Sequence, residues 1–362
     1  MKYDFLIVGA GLFGSVCANE LKQKGYSCLV IEKRQHIGGN CFTEQVNDIY
    51  VHKYGPHIFH TSSKQIWDYI TSFDEFEPFQ LNVVAHYQNR LYSLPFNMWT
   101  FNQMWGVTSP LDAKTIIDSQ RFVGAPSNLE EYALSIVGKD IYYKLIYGYT
   151  KKQWKTHPKF LPSDIIKRLP LRFTFDNNYF NDNFQGIPKH GYTYIIQQML
   201  MDTDIELNID YFANQDKYDS MAKCVIYTGP IDKFYNYIYG KLNYRSLFFE
   251  EHNINIEDYQ GTSVINYTEE TIPYTRIVEH KHFLKNPKQK NTIITKEYPI
   301  EYTEYTEPMY PINNIENTDI YNKYKELTKI NKKYIFGGRL AEYKYYDMHQ
   351  VIGSALSTIK SI

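Results

Sequence analysis

The sequence is poor in the features that mark a membrane span, a disulfide scaffold or a nucleic-acid binder. No apolar run approaches bilayer-spanning length, and Met1 leads straight into a strand-like stretch with no secretory pattern. Cysteine is scarce. Cys17, Cys28, Cys41 and Cys224 lack C-x-x-C spacing, so neither a disulfide framework nor a zinc site follows. Cys17 and Cys28 fall on core-facing positions, where a free thiol serves as a small hydrophobe. The net charge is −1 with no extended basic stretch, which argues against nucleic acid as a partner. Internal repeats and low-complexity segments are also missing. The resulting expectation is a soluble, cytoplasmic protein with no membrane insertion. A length of 362 residues implies two or three domains with ample cores. Tyrosine, by contrast, is abundant at 35 residues beside common Asn, Ile and Lys, a composition bias that makes most tyrosines individually uninformative.

The most informative stretch comes first. An apolar run at 3–8 is followed by Gly9-Ala10-Gly11-Leu12-Phe13-Gly14, a helical pattern to Lys24, and a second apolar run ending at Glu32. In this strand–turn–helix–strand unit Gly9 makes the turn, Gly11 lets the backbone approach a pyrophosphate, and Gly14 lets helix pack on strand. The helix N-terminus offers free N–H groups to phosphates. Glu32 stands where a carboxylate accepts from ribose hydroxyls. Lys33 and Arg34 lead on to Gly38-Gly39-Asn40, an arrangement similar to the flavoproteins that include glutathione reductases and amine oxidases, which bind FAD rather than NAD. An ordinary glycine turn is the plainer reading.

Further along, Gly55-Pro56-His57-Ile58-Phe59-His60-Thr61 forces a turn and spaces two imidazoles three apart. They suit a polar wall beside a cofactor, or a surface turn; metal is set aside because no third ligand accompanies them. A helix is expected at 64–73, and a hairpin at 81–96 turning at Gln88-Asn89-Arg90. Helices are expected at 109–121 and 127–148, the second opened by a Ser127/Glu130 capping box. Tyr149-Thr150-Lys151-Lys152-Gln153-Trp154 has an aromatic pair suited to stacking on a base or simply to packing. Four strand patterns between 244 and 310 lack a long helix between them, so their sheet should be antiparallel. Gly337-Gly338-Arg339 places a cation after a short strand, and Asp347 can cap a C-terminal helix aimed at a flavin. The expected fold class is α/β. A Rossmann-like FAD-binding domain (1–79, 189–240, 315–362) carries an inserted helical domain (97–163) and an antiparallel β-sheet substrate domain (80–96, 164–188, 241–314).

Taken together, the glycine turn, Gly38-Gly39-Asn40, the 55–61 motif, 148–154, Pro273-Tyr274-Thr275-Arg276, Tyr310-Pro311-Ile312 and Gly338-Arg339-Leu340 with 345–348 resemble the bacterial-type UDP-galactopyranose mutases over nearly the whole chain. The resemblance implies an isomerase interconverting UDP-galactopyranose and UDP-galactofuranose for cell-surface glycans, without net redox. It implies FAD, active when reduced, whose N5 attacks the anomeric carbon, and therefore a reductant as partner. It also implies a homodimer. Carried over, Arg168 and Arg276 resemble the catalytic pair on the diphosphate, with His57 and His60 beside the flavin. Arg168 is preferred to Arg172 on the resemblance alone. Asn82, Tyr149, Thr150, Trp154, Tyr179, Asn266, Tyr310 and Tyr345 resemble further substrate contacts. Gly9, Gly11, Leu12, Phe13, Gly14, Glu32, Lys33, Gly39, Asn40, His57, Ile58, Arg339, Tyr345, Asp347 and Met348 resemble the cofactor contacts. The competing readings are an FAD-dependent oxidoreductase of the amine-oxidase type and an FAD-stabilised binding protein.

Overall fold

A five-stranded parallel sheet has the spatial order Asp204–Glu206, Cys28–Ile31, Tyr3–Val8, Ala222–Tyr227, Tyr334–Phe336 in the computed structural model, which describes residues 1–167, 169–285 and 287–362. Every residue of Cys28–Ile31 is buried, as a parallel strand covered on both faces requires. The first helix, Leu12–Gln23, packs against the C-terminal helix, Met348–Lys360. Val16, Leu21, Val351, Ile352, Ala355 and Ile359 share one core between them. Cys17 and Cys28 sit in that core as expected, and burial pushes both thiols up, Cys28 to about 12.

A seven-stranded sheet faces the cleft described below. Its order is Tyr310–Pro311, Tyr244–Ile254, Thr292–Glu301, Arg276–Glu279, Val264–Tyr267, Val83–Tyr87, Arg90–Leu94. The antiparallel expectation holds at every join but one, where Val264–Tyr267 runs parallel to Val83–Tyr87. Those two strands are separated by the whole helical insertion, so no tight hairpin imposes opposite directions on them. The 83–94 hairpin turns where expected, with Gln88 and Asn89 at φ 50° and 59°, as a two-residue type I′ turn requires.

The helical insertion departs from expectation in two places. Its cap lies one residue later: the Asn128 side chain accepts from the Glu131 N–H at 3.0 Å, while Ser127 donates to the Glu131 carboxylate. The single helix expected over 127–148 is broken at Gly138, whose φ is 75°. It resumes through a wide, π-type turn at Tyr142–Tyr147 and then the Gly148–Trp154 helix. Phe184–Pro188 falls in the 164–188 segment that the sequence reading gives to the substrate domain, but it does not pair with the seven-stranded sheet. It pairs instead with Phe59–Thr61 and Phe76–Pro78 in a separate three-stranded sheet, on the cofactor side of the molecule. Among the described residues no helix is long and apolar enough to cross a membrane.

Candidate functional site

A cleft of about 840 Å³ runs from the glycine turn to the seven-stranded sheet and draws its lining from all three parts of the chain. At one end, Gly14 lies so close to the Gly9 carbonyl that a Cβ would overlap it, and that Cβ would stand 3.1 Å from Ile7 Cγ2. Gly39, at φ 54°, faces Gly11 across the turn, and a Cβ on it would sit 2.9 Å from Gly11 Cα. Glu32 is 6% exposed; its carboxylate accepts from the Ala10 N–H at 2.9 Å and the Arg34 N–H at 3.0 Å, at the mouth of the turn. Lys33 and Arg34 both pair with Glu307, at 2.8 and 3.1 Å, and Arg34 stacks over Tyr54 at 4.5 Å. Leu12, Phe13, Asn40, Ile58, Asp347 and Met348 line the same end, and the Asp347 N–H is capped by Gln350 Oε1 at 2.9 Å.

Toward the other end lies a cluster of cations and phenols, which Arg339 joins to the glycine-turn end, since Gly338 before it abuts Phe13 of the first helix. Arg339 lies over the rings of Tyr345 and Tyr310 at 4.9 and 5.7 Å, and those two rings stack at 5.4 Å. Arg276 Nε stands 2.9 Å from Glu297 Oε2, a pair set by strand register because Arg276 and Glu297 face each other across neighbouring strands. Burial works against both charges. The Glu297 carboxylate, with Tyr149, Tyr310 and Tyr345, nonetheless drives Arg276 well above its ordinary value. Burial pushes the Glu297 carboxyl up, and the guanidinium pulls it back in part. Tyr149, Thr150, Gln153 and Trp154 line the cleft from the Gly148–Trp154 helix, with Tyr179 and Asn266 beside them. Buried polar atoms without an aligned partner gather here: Asn266 Oδ1, Gln153 Oε1, Arg276 Nε, Glu297 Oε1 and Arg339 Nε. Such atoms cost free energy unless a ligand completes them, so they mark where one fits.

Between the two ends stand the histidines. His57 is held neutral, its pKa lowered to about 4 by burial, with Nδ1 2.8 Å from the Gly55 carbonyl. Its backbone N–H donates to His52 Nδ1 at 3.0 Å, and the His52 N–H donates to His280 Nδ1 at 3.3 Å. His60 stacks on Phe180 at 3.7 Å and bonds Asp182 at 2.6 Å. Burial pushes the Asp182 carboxyl up, but hydrogen bonds from Ser62 and His60 outweigh it and leave it below the usual range. The fold brings Asp347 and His349 near His60, a grouping of ligand types invisible in the local spacing. The only other such group among the described residues, Asp258, Glu279 and His282, is knit together by its own hydrogen bonds.

Among the described residues, one expected site residue does not join the cleft wall. Asn82 is exposed and absent from the lining, while Leu81 and Val83 on either side of it face in; strand alternation turns Asn82 the other way. Arg168 lies outside the described residues. Arg172, its neighbour in the sequence, is occupied by Asp176 at 3.2 Å and by Asn178 and Asn181. Sequence reasoning missed Glu297, Gln153, Glu307 and Asp182. The first, third and fourth depend on pairings distant in the chain. Gln153 stood inside a motif already noted, and its helical spacing from Tyr149 and Thr150 was the available signal.

A family model described as UDP-galactopyranose mutase matches residues 144–345, and one described as NAD(P)-binding Rossmann-like domain matches 7–73. The chain is 38% identical over 361 residues to a dTDP-fucopyranose mutase of Escherichia coli, covering 97% of this chain and 96% of that protein. It is 40% identical over 360 residues to a probable UDP-galactopyranose mutase of Klebsiella pneumoniae, covering 98% and 93%. Its fold matches the crystal structure of a reduced UDP-galactopyranose mutase at TM-score 0.77 and 14% identity, covering 99% and 95% of the two chains. Putrescine oxidase bound to putrescine matches at TM-score 0.59 and 11% identity, covering 100% and 99%.

Proposed function

The chain belongs to the UDP-galactopyranose mutase family, and from that premise we propose that it interconverts UDP-galactopyranose and UDP-galactofuranose with reduced FAD as its cofactor. The observation that carries this reading is the set of buried polar atoms without an aligned hydrogen-bond partner at the cationic end of the cleft, opposite a glycine cradle that leaves room for a dinucleotide. When bound, reduced FAD supplies a nucleophilic nitrogen to the sugar's anomeric carbon, with no net gain or loss of electrons over the cycle.

The chain's own residues bind, orient and neutralise. Glu32 accepts from the cofactor's ribose, the glycine turn and first helix take its pyrophosphate, and Arg339 adds a counter-charge. Met348 opens the C-terminal helix and lines the cleft, so its backbone N–H, one of those a helix N-terminus leaves without an intrahelical partner, is proposed to serve the flavin. His57, held neutral, lines that side without adding charge. At the other end Arg276 forks onto the diphosphate. Negative charge grows on the departing nucleotide as the anomeric bond breaks, so the guanidinium binds it more tightly then than in the ground state. Glu297 holds Arg276 in place. Tyr149 and Trp154 take the base, Thr150, Tyr179, Tyr310 and Tyr345 hydrogen-bond the diphosphate and ribose, and Asn266 faces the sugar. Arg168 keeps its proposed place as the second diphosphate cation on resemblance alone. Leu81, Val83, Leu145, Ile146 and Val264 exclude water from the reacting end.

A second reading, that the substrate is a dTDP-6-deoxy sugar, is favoured by the similarity to a dTDP-fucopyranose mutase. The test is to incubate the FAD-loaded, dithionite-reduced protein with UDP-galactopyranose and, in parallel, dTDP-fucopyranose, and separate the products by chromatography. Furanose formed from the UDP sugar supports the proposal. Furanose formed only from the dTDP sugar moves the assignment to the second reading, and no conversion of either sinks both.

A further inference from the structure

Lys152 is only 7% exposed, yet its ammonium faces backbone. Nζ donates to the carbonyls of Tyr267 at 2.7 Å, Ile272 at 3.0 Å and Tyr274 at 2.9 Å, which uses all three of its N–H groups. Those carbonyls belong to the connection between Val264–Tyr267 and Arg276–Glu279. At the mouth of that connection Asn266 and Arg276 sit opposite each other, and both line the cleft. Lys152 itself belongs to the Gly148–Trp154 helix, whose Tyr149, Thr150, Gln153 and Trp154 line the facing wall.

The two elements are pressed together around this lysine. A Cβ on Gly148 would overlap the Thr268 carbonyl and stand 3.1 Å from the Glu270 N. Thr268 Oγ1 donates to the Lys144 carbonyl at 2.7 Å, and Arg245 Nε donates to the Gln153 carbonyl at 3.1 Å. The charged groups around Lys152 have partners of their own: Glu269 pairs with His86 at 3.1 Å and Glu270 with Lys151 at 2.6 Å, while Lys155 adds a like charge from the helix end.

We propose that Lys152 is a positioning residue that sets the distance between the base-binding helix and Arg276, so that both engage one nucleotide diphosphate at once. The inference rests on the reading that this cleft takes a nucleotide sugar. A carboxylate would accept rather than donate, and a shorter or apolar side chain would take the shared donor away from these three half-buried carbonyls and untie the connection from the helix. Burial lowers Lys152 to about 8, with Glu269 and Glu270 opposing and Lys155 assisting. In mildly alkaline solution the neutral amine keeps two donors for three carbonyls, and the clamp loosens.

The test is titration of the FAD-loaded protein with UDP, followed by tryptophan fluorescence, for wild type, Lys152→Arg and Lys152→Met from about pH 7 to about pH 9. Wild type should weaken about tenfold over that range, the worth of one hydrogen bond to a charged group. Lys152→Arg does not titrate there and should be flat. Lys152→Met should bind about 100-fold less tightly at pH near 7 while retaining FAD, because a displaced contact rather than a lost domain is responsible. If Lys152→Met does not fold, the contrast between wild type and Lys152→Arg decides. Parallel pH profiles for those two, or wild-type affinity in Lys152→Met, would overturn the positioning role and leave the substrate reading intact. A wild-type protein that binds no UDP at any pH would overturn the substrate reading and this inference with it.

Discussion

Replacing Arg276 with Met separates two consequences, one from the role proposed for this side chain and one from its pairing with Glu297. The first is catalytic. A cation positioned at the developing charge is worth about 3–4 kcal/mol in a dry site, so kcat/KM should fall about 10²- to 10³-fold. The second is a matter of stability. Glu297 is 1% exposed and 2.9 Å from the lost guanidinium, and breaking a buried pair costs about 3–5 kcal/mol when the survivor stays charged. Glu297 can escape part of that cost by taking a proton, because burial already pushes its carboxyl up and removing Arg276 pushes it further. A carboxyl whose folded pKa is raised contributes stability below its unfolded value and loses it as pH rises through the folded value. Arg276→Met should therefore be close to wild-type stability near about pH 5 and several degrees less stable near about pH 8. Adding Glu297→Gln removes the stranded carboxylate, so the double variant should regain most of the stability at alkaline pH and none of the turnover. Thermal unfolding at both pH values, with steady-state kinetics at matched FAD content, reads both effects. A wild-type kcat/KM in Arg276→Met would remove this residue from the site. A pH-independent stability loss, or a double variant no more stable than the single one, would refute the pairing.

Three further outcomes follow from the same geometry. Gly14→Val should abolish retention of FAD, because its side chain runs into the Gly9 carbonyl and Ile7; flavin absorbance after gel filtration reads this, and a yellow variant would contradict it. Gly148→Ala should lower UDP affinity and kcat/KM by about 100-fold with FAD retained, since its Cβ overlaps the Thr268 carbonyl and pushes the helix off the Arg276 strand connection; unchanged kinetics would mean that the helix and strand move independently. His280 is fully buried with its pKa lowered to about 3 by burial, so the stability it contributes is full above the ordinary histidine value and is lost as pH falls below it. His280→Gln should then lose up to about 3 kcal/mol less than wild type between about pH 7 and about pH 4, as followed by urea unfolding; identical acid limbs would show that His280 titrates alike in the folded and unfolded chain.

The parts of the fold that were legible in the sequence are those written locally. Gly9 to Gly14 between two apolar runs specifies strand, turn and helix within one continuous segment, and the Asn-containing turn of the 83–94 hairpin does the same. What was not legible depends on register. Arg276 and Glu297 are partners because one strand pairs with another, and nothing near Arg276 in the chain announces a buried carboxylate. Asn82 shows the cost of a single step: the family pattern placed it on the sugar side, yet pleat alternation turns Leu81 and Val83 inward and Asn82 out. The helix cap slipped by one residue for a related reason. Ser127 and Asn128 are both capping residue types, and the choice falls to whichever lets Leu129 bury completely, as it does. Nothing in the local sequence separates Lys152 from the adjacent Lys151. Its neighbour Lys151 does pair with Glu270 at the surface, and only the fold shows that Lys152 points the other way.

Isomerisation without net redox is read most directly from the number of electrons consumed per furanose formed. The FAD-loaded protein is reduced once with a limiting, known amount of dithionite under anaerobic conditions and given excess UDP-galactopyranose; sugar products and remaining reduced flavin are then quantified together. A mutase gives many turnovers from one reduction, with the flavin still reduced at the end and no oxidised sugar. One oxidised product for each flavin consumed would contradict it and return the chain to the oxidoreductases that share its fold.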